Sequence, residues 1–129
     1  MDFEQAFHAE LSSITGLQGK VFPAYVPESI TPPFLIYYKS LGEIIKTLDG
    51  TSQTRNGLYE VDLLAKNYSE IQQLFEAIKA KVLSFVGRTV GGSNIYVQDV
   101  TIESFIELFE DKVKLYRMNA EIRIYFKGE

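Results

Sequence analysis

Three groups of residues have side chains that do chemistry when a fold brings them together. Ser12, Ser13 and His8 lie close to one another near the start of the chain. A Ser-His couple is the core of a nucleophilic acyl-transfer site, but the serine must sit on a sharp, glycine-flanked turn. Neither serine has such flanks, so these residues are expected to be helix neighbours, with His8 structural or at the surface. Gly87 to Gly92 (GRTVGG) loosely resembles a phosphate-binding loop. It lacks the Gly-Lys-Ser/Thr ending and precedes a strand pattern, so it is expected to be a turn. Asp99, Glu103, Glu107, Glu110 and Asp111 are oxygen donors of the kind hard cations take. On a strand Glu103 and Glu107 would stand about 13 Å apart, whereas such ligands converge to about 2–2.6 Å from the ion. A solvated, charged strand face is the expectation. Tyr25, Tyr37, Tyr38, Tyr59, Tyr96 and Tyr125 could stack nucleic-acid bases only beside a positive groove. They are assigned to the core or its wet rim.

Composition narrows the choice further. The chain has no Cys and one His, which excludes disulfides, thiol catalysis and His-cluster metal sites. Lys and Arg number 13 against 17 Asp and Glu, a net charge of −4. Specific duplex binding draws much of its affinity from phosphate neutralisation, and no basic run supplies it here. No apolar stretch approaches the roughly 20 residues that cross a bilayer. The acidic start, Met1-Asp2-Phe3-Glu4, is unlike a signal or transit peptide, so a cytoplasmic starting point is expected. The expectation is one domain over 1–129, not an enzyme, with no catalytic, cofactor-binding or metal residues and no cofactor.

The elements that position these residues follow from periodicity. Asp2 can cap a first helix with Gln5 as its reciprocal partner. Phe3, Phe7, Leu11 and Ile14 follow at helical spacing, and Gly16 and Gly19 end the run. Lys20 to Val26 is a short strand that Pro23 confines to an edge. Phe34 to Leu41 is a second strand. Gly42 to Asn56 breaks the pattern and is either a protruding hairpin or a loose loop, with Asp49-Gly50 as a turn signal. In Gly57 to Lys66, Tyr59, Val61, Leu63 and Ala65 share one face, and Glu60, Asp62, Leu64 and Lys66 the other. Asn67 can start a second helix whose stripe is Ile71, Leu74, Phe75, Ile78, Val82 and Phe85, with Gly87 as its stop. Ser93 to Phe109 is strand-like. Ile95 and Val97 have one parity, and Val100, Ile102, Ile106 and Leu108 the other, so a bulge is expected near Gln98 or Asp99. Glu110-Asp111-Lys112 is a hairpin turn. Lys114 to Phe126 alternates cleanly. The fold class is α+β: a mixed or antiparallel sheet of about five strands, two helices packed on one face, in the order αββ(long loop)βαββ.

Several stretches together resemble the tail-completion family of long-tailed phages, the small tail-to-head joining proteins related to tail terminators. They are Lys20-Val21-Phe22-Pro23, Pro33-Phe34-Leu35-Ile36-Tyr37-Tyr38, Thr47-Leu48-Asp49-Gly50, Tyr59-Glu60-Val61-Asp62-Leu63 and Asn67-Tyr68-Ser69-Glu70. Phe85 to Gly92, Leu115-Tyr116-Arg117 and Ile124-Tyr125-Phe126 complete the series. Two departures lie in the sheet. Leu63-Leu64 follows Asp62 where family members often carry an aromatic residue, and Glu121-Ile122 stands where many have Asp-Phe.

The resemblance implies a structural protein of a phage or prophage. Such a protein closes the head-proximal end of the tail tube and joins it to the capsid connector. Related terminators act as six-membered rings. The implied partners are further copies of the chain, the tail tube protein and a head connector or stopper, with no specific nucleic-acid binding and no membrane. The implied places are the host cytoplasm during assembly and the head-tail junction of the virion. In a ring, Ile44, Ile45 and Leu48 would anchor an arm in the neighbouring subunit. Glu103, Glu107, Glu110 and Asp111 would form an acidic lumen or surface that repels phosphate. The alternatives are a small-molecule-binding or regulatory α+β module, or a head-side connector or stopper.

Overall fold

The computed structural model describes residues 2–27, 29–47 and 50–128, with side chains described outside 41–54. The elements are α1 (Phe3–Ser12), β1 (Val21–Pro23), β2 (Phe34–Thr47), β3 (Gly50–Ala65), α2 (Tyr68–Leu83), β4 (Tyr96–Glu110) and β5 (Leu115–Lys127). The strands form one five-stranded sheet in the order β1-β2-β3-β5-β4. β1 runs parallel to β2, and every other neighbouring pair is antiparallel. The sheet is therefore mixed, as the α+β expectation allowed.

The first helix forms for the local reasons the sequence suggested. The Asp2 carboxylate accepts the Gln5 N–H at 2.8 Å, and the Gln5 amide oxygen accepts the Asp2 N–H at 3.0 Å. Two of the helix's orphan donors are thereby satisfied. Phe3, Ala6, Phe7 and Leu11 are all buried against the sheet. In α2 the stripe Ile71, Leu74, Phe75, Ile78 and Val82 is buried in the same way. Two details differ from expectation. Asn67 occupies the N-cap position but makes no side-chain capping bond, and α2 ends at the Ser84 cap rather than at Gly87. Gly87, at φ +81°, instead turns the chain beyond the helix and donates its N–H to the Val97 carbonyl.

Pro23 does sit in an edge strand, which pairs only with Leu35 to Tyr37 of β2. The Gly42–Asn56 segment is a hairpin rather than a loose loop. β2 continues to Thr47, β3 begins at Gly50, and the two pair with register breaks at Ser40 and Ile45. β3 pairs with β5 only from Arg55 onward, so among the described residues the hairpin beyond that row is a two-stranded ribbon.

Beneath α1 lies a cluster of rings. Phe3 stacks on Phe126 at 4.3 Å between centroids and lies 5.1 Å from Tyr59. Phe7 lies 5.4 Å from Tyr59, 5.6 Å from Tyr37 and 6.2 Å from Phe85. Gly57 admits the Tyr59 ring, because a Cβ there would meet it at 2.5 Å. His8 reaches the same region from the partly exposed side, its Nδ1 3.1 Å from the Tyr37 hydroxyl. It is a structural His, as expected. Phe7→Ala should cost about 3–5 kcal/mol through lost burial and the cavity left behind. Urea titration followed by circular dichroism should show the matching fall in midpoint.

Candidate functional site

The sheet has one face under the helices and one without them. On the second face β3 and β5 build a polar ladder. Asp62 is 4% exposed, although it points away from the helices. Arg117 covers it, donating from Nη2 to Oδ2 at 2.9 Å and from Nε to Oδ1 at 3.3 Å. Arg117 Nη1 also donates to Glu110 at 3.1 Å, and Asn119 Nδ2 donates to Asp62 at 2.7 Å. The guanidinium pKa is raised, first by the bonds it donates to Asp62. Higher on the same face Arg123 joins Glu103 at 2.6 Å and Asn56 at 2.9 Å. The arginines and their partners are diagonal cross-strand neighbours, so the sheet register itself aligns the charges.

The five acids expected on a common strand face are therefore divided. Glu103 and Glu110 lie on the open face, each paired with an arginine of β5. Glu107 turns to the helix side, where it accepts bonds from the Tyr68 hydroxyl and Gln72 Nε2. Asp111 lies in the turn with Lys114 at 2.9 Å. Asp99 accepts the N–H of Val100. Among the described residues no group of three or more His, Cys, Asp or Glu is arranged to hold a metal ion. No described helix is long and apolar enough to cross a membrane.

The parity of β4 explains the division. Its register shifts between Val97 and Asp99, where a bulge was expected, and again between Ile102 and Ser104, where none was. The second shift separates Ile106 and Leu108 from Val100 and Ile102. Val100 and Ile102 stay in rows with Ile124 and Ile122, on the helix side. Ile106 and Leu108 instead share rows with Asn119 and Arg117, on the open face. Phe105 and Phe109 take the helix side, beside Phe75 and Tyr116. All four are about half exposed, and Val113 in the following turn is 61% exposed. The outer half of the β4–β5 hairpin thus presents large apolar side chains on both faces. Sequence reasoning did not single out this patch, because apolar residues at both parities hide the second bulge.

Ile44 and Ile45 lie in the outer part of β2, Ile44 opposite Arg55 and Ile45 at a register break. Leu48 lies outside the described residues. The two segments read against chemistry stay structural. GRTVGG is a turn packed on α1. Glu10 accepts both terminal nitrogens of Arg88 at 2.8 and 3.0 Å and the Gly91 N–H at 2.8 Å. Gly91 has φ +61°, and a Cβ there would lie 2.5 Å from the Ala6 Cα. Ser13 donates to the Glu10 carbonyl at 2.6 Å, a local helix-end bond.

A cavity of about 170 Å³ opens between α2 and the outer hairpin, lined by Tyr68, Ile71, Glu107, Phe109 and Tyr116 among others. Ligand sites usually offer about 300–1,000 Å³. A wider depression between the end of α1 and α2 is walled by small residues and brings in Lys81 as its charged group. The polar groups at the wall of the smaller cavity, Tyr68, Glu107 and Arg117, are already hydrogen-bonded within the chain.

No family model matches the chain, and no curated protein matches it. Among solved structures it is similar to a chain from the virion of a native gene transfer agent particle. The TM-score is 0.59 at 13% identity, over 98% of this chain and 91% of the other. That likeness establishes a shared fold from end to end.

Two substitutions separate structural charge from surface charge. Arg117→Ala leaves the buried Asp62 carboxylate without its guanidinium and should cost about 3–5 kcal/mol. Glu110→Gln removes only the more exposed arm and should cost under about 1 kcal/mol by the same denaturation measurement. The Glu10 carboxyl is held below its ordinary value of 4.5, first by the bonds from Arg88, with Gly91 and Lys81 helping and burial opposing. A lowered carboxylate pKa adds stability above the unfolded value, and that stability is lost as pH falls through the folded value. Glu10→Gln should therefore destabilise by about 1–3 kcal/mol at neutral pH. The gap from the parent should close as the pH drops below 4.5. Melting curves of both proteins across pH check the sign.

Proposed function

We propose that this chain is a structural protein of a phage-like virion. More specifically, it closes the head-proximal end of the tail tube and joins the tail to the capsid connector. The observation that carries the reading is the full-length likeness to a chain of a gene transfer agent virion. The tail position rests on the sequence resemblance to tail-completion proteins. The partners are then further copies of the chain, the tail tube protein and a head connector or stopper. The working form is a ring, six-membered by analogy with related terminators. Assembly takes place in the host cytoplasm and the ring stays at the head-tail junction.

Physical features agree with this role. The charges of the described sheet are largely paired with one another rather than gathered around a reaction centre. A ring needs a heterologous contact that closes on itself, and the β2–β3 ribbon is a suitable arm. Ile44, Ile45 and Leu48 are its proposed anchors. Glu103, Glu107, Glu110 and Asp111 are proposed as acidic groups along the path of the DNA. All four already have arginine, lysine or amide partners, so the field they add is smaller than their formal charge.

Native mass spectrometry across a concentration series, with negative-stain images, should show rings. Fractionated particles should carry the chain at the head-proximal end of the tail. Particles that lack the chain would sink the virion reading, and its recovery on tailless heads would favour the connector alternative. The double variant Ile44→Asp/Leu48→Asp should remove rings and tail joining while leaving the circular dichroism spectrum unchanged. Rings that persist would overturn the role of the arm.

A further inference from the structure

The two edges of the sheet are each capped over a short stretch and open over a longer one. On β4 the loop over 86–90 covers the start of the outer edge. Gly87 and Val90 donate to the carbonyls of Val97 and Ile95, and Val97 donates to Arg88. From Asp99 to Glu110 no described strand lies outside β4. On the opposite edge β1 covers Leu35 to Tyr37 of β2, and the Ala24 N–H ends that pairing on the Tyr37 carbonyl. From Tyr38 to Thr47 no described strand lies outside β2. An open strand edge is a row of unpaired donors and acceptors and a template for another chain.

The open stretches share rows in part, Asp99 to Ser104 of β4 lying in the rows of Glu43 to Tyr38 of β2. Tyr38 pairs with Glu60, Glu60 with Glu121, and Glu121 with Ser104. Glu43 is linked to Asp99 in the same way, through Asn56 and Tyr125. Successive antiparallel pairs also set direction: β2 and β5 run one way, β3 and β4 the other. A second copy placed beside the first in the same orientation would bring its β2 against β4 as an antiparallel pair. Charge agrees with that placement. The β4 segment 96–110 carries Asp99, Glu103, Glu107 and Glu110 with no Lys or Arg, whereas β2 carries Lys46 and Lys39, the latter also joined to Glu4 of α1 at 2.7 Å, against Glu43 alone. The half-exposed Ile106 and Leu108 lie along the open β4 edge in the rows of Ile36 and Phe34, at the stretch of β2 that β1 covers, so the next copy must be staggered along β4 toward the 111–114 turn for its open β2 edge to meet them.

We infer that the ring closes by sheet extension, the open edge of β4 in one copy pairing antiparallel with the Tyr38–Thr47 edge of β2 in the next. The inference rests on the ring reading above and specifies its interface. Main-chain hydrogen bonds supply affinity, and Ile106 and Leu108 are buried at the seam. Each copy then uses two different edges, so the contact is head-to-tail and repeats until it closes.

The absence of Cys makes the test clean, since any introduced thiol is the only one. Leu108→Cys marks β4 and Ser40→Cys marks β2, both at exposed positions. The singly substituted proteins are treated with a short bismaleimide, alone and mixed. The expected result is a covalent dimer in the mixture, about tenfold above either protein alone. Ile106→Lys/Leu108→Lys should weaken self-association at least about tenfold, with an unchanged circular dichroism spectrum. Oligomers that persist in that variant would overturn the seam. So would crosslinks confined to like-with-like pairs, which indicate a symmetric contact. A chain that stays monomeric and uncrosslinked at every concentration also overturns it. The virion reading fails separately, by absence of the chain from purified particles.

Discussion

Phe3 and Phe7 hold the first helix to the sheet through ring contacts, and the rest of the architecture depends on that docking. The two rings meet Tyr59 from β3, Phe126 from β5, Tyr37 from β2 and Phe85 from the chain beyond α2. One helix turn thus ties together four segments that are distant in sequence. Aromatic rings suit the task because each buries a large area and prefers tilted or edge contacts that fix orientation. The same helix carries Glu10 on its partly exposed side. With the rings seated, Glu10 lies where Arg88 and the Gly91 N–H can reach it.

That second contact carries order from the core to the sheet edge. The loop over 87–92 is held by Glu10 on one side and bonded to the start of β4 on the other. Its position fixes where β4 begins. The bulge between Val97 and Asp99 then sets β4's parity against β5. A second bulge near Glu103 keeps Phe105 on the helix side and places Ile106 and Leu108 on the open face. The apolar outer hairpin is therefore a consequence of register, not of composition alone. On the open face the Asp62–Arg117–Glu110 ion pairs, which run diagonally across β3, β5 and β4, resist slippage, because a one-residue shift would leave a buried carboxylate opposite an apolar residue.

Local chemistry made much of this legible in the sequence. The Asp2-Gln5 capping box, the Phe3-Phe7-Leu11 stripe, the edge position of Pro23 and the alternation of β5 all follow from neighbouring residues. The hairpin over 42–56 was ambiguous because bulges at Ser40 and Ile45 break its period. The Glu10–Arg88 pair spans most of the chain, and the Asp62–Arg117 pair joins strands separated by α2 and β4. Spacing cannot reveal either pair before the topology is known. The second bulge in β4 was hidden for a different reason. Ile106 and Leu108 are as apolar as Val100 and Ile102, so hydropathy does not record the change of face.

The exposed apolar residues carry a physical cost that bears on the role of the fold. Monomeric proteins blunt long edge strands with charge, proline or a cover. Here Pro23 and the three-residue β1 blunt one edge, and the 86–90 loop covers part of the other. Both covers stop short. The carboxylates of β4 discourage two β4 edges from meeting, since like charges across an antiparallel pair are unfavourable. The same charges do not oppose an edge that carries Lys39 and Lys46. The β4 carboxylates, weakened by their Arg117 and Arg123 partners, therefore weigh against a symmetric pair and leave the head-to-tail arrangement open. A closed ring requires that asymmetry, because a symmetric edge contact would be used up in a dimer.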